Sequence, residues 1–109
     1  ALFQPHLFSR TRDFSEQFGQ ALAAADASVV MDVYPSREKP IPGVTGALVA
    51  DAARRASARG ADAITYISDK KDVIGCLERT LIPGDLLVTL GAGDVVRFGE
   101  EYLKRGAAG

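Results

Sequence analysis

Short apolar runs rich in β-branched residues alternate with amphipathic segments along the whole of this 109-residue chain. The runs are residues 1–4, 28–34, 63–67 and 85–90, and the amphipathic segments are residues 13–24, 46–59, 70–81 and 94–103. Apolar residues within the first segment, Phe14, Phe18 and Leu22, recur every four positions, which predicts a helix with one buried face. Strands that alternate with helices pair in parallel through right-handed crossovers. The pattern therefore predicts a Rossmann-like, doubly wound α/β domain, with a mostly parallel sheet and helices on both faces.

The composition fits one compact domain and argues against several classes of partner. Hydrophobic residues make up 47% and charged residues 25%, which is ordinary for a globular protein. With 13 Lys+Arg against 14 Asp+Glu, the chain has no basic excess for nucleic acid or an anionic membrane surface. No apolar run is long enough to cross a bilayer. The single cysteine, Cys76, excludes an internal disulfide, fits a cytoplasmic location and is expected to fill a core or surface position.

Polar residues follow the first predicted strand. His6, Ser9 and Arg10 lie in a proline-stiffened turn, ahead of a helix predicted to start near Asp13. In an open α/β sheet the loops at the carboxyl ends of the strands face the ligand crevice. An arginine fork matches a carboxylate, and a histidine adds a hydrogen bond and, when protonated, a charge. Position alone leaves two interpretations open: these two side chains bind an anion, or Arg10 is solvated and His6 bonds to a backbone carbonyl.

The end of the second predicted strand and the loop after it add two acidic groups, Asp32 and Glu38, on either side of Tyr34. One carboxylate could receive the ammonium group of an amino acid, or orient the histidine by accepting its N–H. The alternative for Asp32 is a strand-end carboxylate that caps backbone amides. The alternative for Glu38 is a solvated loop residue paired with a neighbouring cation, which stabilises little.

The loop after the last predicted strand is the glycine turn Gly91-Ala92-Gly93-Asp94. Backbone N–H groups at the start of a helix suit an anion. The dinucleotide fingerprint needs a further glycine where this chain has Val96, so tight turn packing is favoured over phosphate binding. The sequence contains no GxxxxGK[ST] phosphate loop, no metal-ligand spacing of Cys and His, and no convincing Ser-His-Asp set. No catalytic or metal-binding residue is therefore predicted.

Three segments resemble, in the same order, the C-terminal domain of the Mur ligases of bacterial cell-wall synthesis. They are Phe3-Gln4-Pro5-His6 with Ser9-Arg10-Thr11-Arg12-Asp13, then Asp32-Val33-Tyr34 through Glu38 to Pro40-Ile41-Pro42-Gly43, and Gly91 to Asp94. The resemblance covers nearly the whole chain and is greatest to the members that join L-alanine to UDP-N-acetylmuramate. One departure is Leu7, where many members have arginine. The second cationic contact, which that arginine would make in addition to Arg10, is then missing, or another residue such as Arg12 makes it.

The resemblance implies that residues 1–109 are a single amino-acid-binding C-terminal domain of a longer cytoplasmic enzyme. Its own N-terminal domain would bind the UDP-sugar, and a central domain would bind ATP and Mg²⁺. ATP would phosphorylate UDP-N-acetylmuramate, and the amine of L-alanine would attack the acyl phosphate. L-Alanine would be bound by His6, Arg10, Asp32, Tyr34 and Glu38, while Gly91, Ala92, Gly93 and Asp94 would form an anion- or nucleotide-facing loop. The isolated domain is expected to bind no cofactor and to be inactive.

Two other functions stay open on the sequence. One is the corresponding domain of a sister Mur ligase, such as the enzyme that attaches a recycled tripeptide. The other is a non-catalytic α/β binding module, because a doubly wound fold by itself does not fix a function.

Overall fold

The computed structural model describes residues 1–91 and 94–108, in which strands and α-helices alternate. The elements are β1 (Leu2–Gln4), α1 (Phe8–Leu22), β2 (Ser28–Met31), α2 (Ala47–Ala56), β3 (Ile64–Ile67), α3 (Val73–Thr80), β4 (Thr89–Gly91) and α4 (Val95–Ala108). Short 3₁₀-helical turns precede β3 and α3. The predicted order of strands and helices is confirmed. No helix in the described part of the chain is long and apolar enough to cross a membrane.

The four strands form one sheet in the order β3-β2-β1-β4, and every neighbouring pair is parallel. Leu2 of β1 lies between Val29 of β2 and Thr89 of β4. The strand order therefore reverses at β1, with β2 and β3 on one side and β4 on the other. Ligands of open α/β sheets bind outside the carboxyl ends of the strands at such a reversal, so the loops after β1 and β4 flank the favoured position.

Helices cover both faces of the sheet, as the sequence predicts. Successive strand residues point to opposite faces, and the two cores divide accordingly. On one face α1 and α2 pack in a cluster of Leu22, Val30, Val49, Ala50, Ala53 and Ile64. On the other face α3 and α4 pack in a cluster of Leu2, Val29, Met31, Val73, Ile74, Cys76, Leu77 and Val95. Cys76 is thus a core residue.

The two helices on the first face approach closely because the residues at their contact have small side chains. A Cβ atom at Gly19 of α1 would overlap Ala52 and the backbone of Ala53 in α2. The buried residues of α2 are Val49, Ala50, Ala52 and Ala53. Ala56, in the last turn of the same helix, is exposed.

Several predicted boundaries were wrong where tertiary contacts set them. α1 begins at Phe8, not near Asp13, so Ser9 and Arg10 lie in a helix and not in a turn. β2 ends at Met31, and the residues up to Tyr34 add only an isolated bridge. β4 begins at Thr89; in the apolar run ahead of it, the carbonyl of Val88 still accepts the N–H of Leu2, but Leu86 is 84% exposed.

Candidate functional site

Backbone hydrogen bonds join the segments that follow β1 and β2. The N–H of Tyr34 donates to the carbonyl of Pro5 at 2.8 Å, and the N–H of Leu7 donates to the carbonyl of Tyr34 at 3.0 Å. His6 and Tyr34 form an isolated parallel bridge, with ring centroids 6.0 Å apart and planes tilted by 33°. Two residues predicted for the site are therefore neighbours, held by main-chain contacts that do not depend on their side chains.

Leu7 turns the chain sharply from β1 into α1. Its φ of 67° and ψ of 137° belong to a region that residues other than glycine rarely adopt, at a cost of about 1–3 kcal/mol. Because the turn is completed at this one residue, α1 starts at Phe8 and Arg10 lies in its first turn. Such strain is common where a ligand site demands a particular geometry.

Arg10 is exposed, and among residues 1–91 and 94–108 no carboxylate lies within ion-pair distance of its guanidinium. Arg12, by contrast, is hydrogen-bonded to Asp13 at 2.9 Å. Arg10 can accept a carboxylate without first breaking an ion pair. It is therefore the better placed of the two arginines for binding an anion beside His6.

Glu38 binds the first turn of α1. Its Oε1 accepts the N–H of Ser9 at 2.8 Å, and its Oε2 accepts the hydroxyl of Ser9 at 2.5 Å. These bonds, the hydroxyl first and the backbone N–H second, lower the pKa of Glu38 below its ordinary 4.5. A negative charge at this end of a helix is also favourable for the helix dipole. Glu38 is thus a cap for α1, and neither Arg37 nor Lys39 pairs with it within the described residues.

Asp32 binds the start of α2. Its Oδ1 accepts the backbone N–H groups of Val33 and Gly46, each at 2.9 Å. Gly46 has to be a glycine because a Cβ there would overlap the carbonyl oxygen of Met31. Burial, followed by the charge of Asp32, raises the pKa of Tyr66 above 10.0. The geometry of Asp32 is that of a strand-end carboxylate that caps backbone amides.

The loop after β4 is fastened to β1 at its far end. The buried side chain of Gln4 accepts the N–H of Asp94 at 3.2 Å. The carboxylate of Asp94 lies 2.6 Å from the Lys70 ammonium, which lowers the pKa of Asp94. Gly91 ends β4, whereas Ala92 and Gly93 lie outside the described residues. The anion-facing role predicted for this loop stays a prediction.

The structure thus joins His6 to Tyr34, and Glu38 to Ser9, the residue before Arg10, while Asp32 and Asp94 are engaged elsewhere along the same edge. Sequence reasoning did not assign a role to Ser9, and it did not foresee the backbone turn at Leu7. A capping glutamate is recognisable in sequence when it lies three residues after the cap. Here it lies 29 residues away, so no local pattern reveals it.

No family model matches the chain. Three curated relatives, by contrast, all have the same name. The chain is 57% identical over 99 residues to the UDP-N-acetylmuramate–L-alanine ligase of Cutibacterium acnes, an alignment of 91% of this chain and 20% of that protein. It is 53% identical over 104 residues to that of Streptomyces avermitilis, covering 95% of this chain and 22% of the relative. The corresponding ligase of Geobacter sp. is 45% identical over 104 residues, covering 95% and 22%.

The aligned region is the C-terminal part of these relatives. The chain therefore spans about a fifth of the length of the curated relatives that it matches.

Proposed function

Because the chain belongs to the Mur ligases as a C-terminal domain, we propose that it binds L-alanine for an ATP-dependent UDP-N-acetylmuramate–L-alanine ligase. The observation that carries this proposal is Arg10, an exposed guanidinium with no carboxylate partner in the described residues, in the first turn of α1. Arg10 comes shortly after His6 in the chain. His6 forms a bridge with Tyr34 just beyond β1, the strand where the sheet order reverses. A small carboxylate ligand fits this arrangement.

We assign the alanine carboxylate to Arg10, whose planar fork can donate two parallel hydrogen bonds. His6 adds a hydrogen bond from the adjacent loop, and the ring of Tyr34 lies against it. Glu38 and Asp32 supply negative charge near this edge, where the ammonium group of the ligand needs it. With its carboxylate fixed, the amine of alanine, once deprotonated, lies at this same edge and faces the acyl phosphate formed on UDP-N-acetylmuramate.

ATP and Mg²⁺ belong, in this proposal, to a central domain of the full-length protein. The residues that the structure describes contain no group of three possible metal ligands, and the sequence has no GxxxxGK[ST] loop. The role of this chain is therefore orientation. A well-oriented nucleophile can remove several kcal/mol of the barrier, and closure of the domain over the acyl phosphate would exclude water that hydrolyses it.

Substitution of Arg10 tests the proposal. In the full-length protein Arg10→Ala should raise the KM for L-alanine at least tenfold, roughly the loss of a charge-assisted hydrogen bond, and leave the KM for ATP unchanged. Steady-state kinetics with each substrate varied in turn measure both values. Arg79→Ala, which removes an exposed arginine of α3, is the matched control and should change neither. Equal increases for L-alanine and ATP would contradict the assignment.

A panel of amine substrates tests which ligase this is. L-Alanine should be used at least as efficiently as any other amine, because the described contacts recognise a small carboxylate and no side chain. A tripeptide used with a higher kcat/KM than L-alanine would assign the chain to a recycling member of the family instead.

A further inference from the structure

The start of α1 has no cap of its own. Leu7 precedes the helix and makes no capping bond with its side chain, and the first turn contains no acidic residue. The first N–H groups of a helix have no partner within the helix, so they need acceptors from elsewhere. The acceptor for Ser9 comes from Glu38, in the loop after β2.

The turn is also fastened at its other end. Thr11, which is fully buried, donates both its hydroxyl, at 2.7 Å, and its N–H, at 3.1 Å, to the carbonyl of Leu7. Arg10 lies between Ser9, which Glu38 holds, and Thr11, which Leu7 holds. The backbone that carries the Arg10 guanidinium is thus held by neighbours on both sides.

We propose that Glu38 is a positioning residue for Arg10: by binding Ser9 it sets the first turn of α1, and through that turn the direction of the guanidinium that receives the substrate carboxylate. The inference rests on the proposed function, because it takes Arg10 as the carboxylate-binding group. Glu38 need not touch the amino acid, since both of its oxygens already accept hydrogen bonds from Ser9.

A double-mutant cycle in the full-length protein tests this inference. Glu38→Ala should raise the KM for L-alanine roughly fivefold, as expected for the loss of one helix cap, with the KM for ATP unchanged. In an Arg10→Ala background the same substitution should cause no further rise, because the group that it positions is gone. Lys39→Ala, an exposed change in the same loop, is the control and should behave as the parent.

Graded variants show whether the bonds to Ser9 carry the effect. Ser9→Ala removes one of the two bonds and should raise the KM for L-alanine by less than Glu38→Ala does. Glu38→Gln keeps an oxygen for the Ser9 N–H and should restore part of the affinity. A raised KM for ATP or a lowered unfolding temperature would show that Glu38→Ala disturbs the fold. In that case Ser9→Ala and Glu38→Gln carry the test.

The outcomes separate the two claims. A similar rise after Glu38→Ala in both backgrounds would show that Glu38 acts independently of Arg10 and would overturn the inference. An unchanged KM for L-alanine after every Glu38 substitution, with a raised value after Arg10→Ala, would also overturn it but leave the proposed function standing. An unchanged KM after Arg10→Ala would remove the proposed function itself.

Discussion

Leu7 adopts a backbone conformation that costs a leucine about 1–3 kcal/mol, and it does so in the short connection between β1 and α1. The strain is offset by the backbone bond from Leu7 to Tyr34 and by the two bonds from Thr11. At the residue scale, therefore, the site depends on main-chain geometry as much as on side-chain identity. The backbone conformation of Leu7 also fixes the position of its Cβ atom, from which any side chain substituted there would extend.

Leu7→Arg should improve alanine binding. The substitution adds a second guanidinium next to Arg10, and since arginine and leucine both have a Cβ, the backbone strain stays the same. In the full-length protein we expect the KM for L-alanine to fall roughly threefold, as one exposed ion pair would give. Leu7→Gln, polar but neutral, is the control. If both variants gave the same KM, the added charge would have no role.

Glu38 should make the fold sensitive to acid. Its pKa is lowered in the folded protein, so the unfolded chain takes up the proton more readily. The stabilisation is then complete above the ordinary value of 4.5 and is lost as the pH falls through the lowered folded value. Glu38→Gln should therefore lose less unfolding free energy than the parent between about pH 7 and about pH 3.

Denaturant unfolding at both pH values measures that difference. The fall should be reduced but not abolished, because Asp69 and Asp94 also have lowered pKa values. Glu100→Gln, an exposed change on α4, should follow the parent. A Glu38→Gln protein that lost as much stability as the parent on acidification would contradict the capping role.

At the scale of elements, hydrophobic periodicity predicted the order of strands and helices and the parallel sheet, because each element must bury one face or both. It did not predict where elements end. The run before Thr89 is apolar, yet β4 pairs only where β1 offers a partner, from Leu2 opposite Thr89 to Gln4 opposite Gly91. The hydrogen bonds that Ser9 donates to Glu38 could not be predicted from the sequence for the same reason, since contacts between distant segments leave no local pattern.

Two helical glycines should respond in opposite directions to the same substitution. Gly19→Ala should destabilise the chain by about 1–3 kcal/mol, because its Cβ would overlap Ala52 in the close contact of α1 with α2. Gly75→Ala should stabilise it by about 0.5–1 kcal/mol, because alanine favours a helix and, among the described residues, the added Cβ would meet only the flexible end of Arg79. Denaturant unfolding of both variants measures the two changes. A Gly19→Ala variant at least as stable as the parent would contradict the close approach of the helices.

At the scale of the whole molecule, the site lies at one edge of the sheet and depends on three loops that follow different strands. Each loop is fastened to a neighbour: Tyr34 to Pro5, Glu38 to Ser9, and Asp94 to Gln4. Within the described residues these hydrogen bonds connect the loops along the carboxyl edge, and in the proposed function that edge presents an amino acid to another domain. The sequence predicted which loops meet there but not the bonds that connect them.

We expect the isolated 109-residue chain to have no ligase activity. It supplies orientation in the proposed mechanism, and its sequence contains no phosphate loop of its own. Phosphate release in the presence of ATP, UDP-N-acetylmuramate and L-alanine measures this, with the full-length protein as the positive control. Product formed by the purified chain above the enzyme-free rate would contradict the division of roles.

The central position of β1 in the sheet also affects how the protein is made. β1 is synthesised before β2, β3 and β4 and can pair with β2 soon afterwards, but its other neighbour, β4, comes last of the four strands. At roughly 5–20 residues per second of synthesis, one edge of β1 waits several seconds for its partner. During that interval a nascent chain has an open strand edge, which is a template for wrong pairing. The final shape of the proposed alanine site is therefore reached only after translation has passed Gly91.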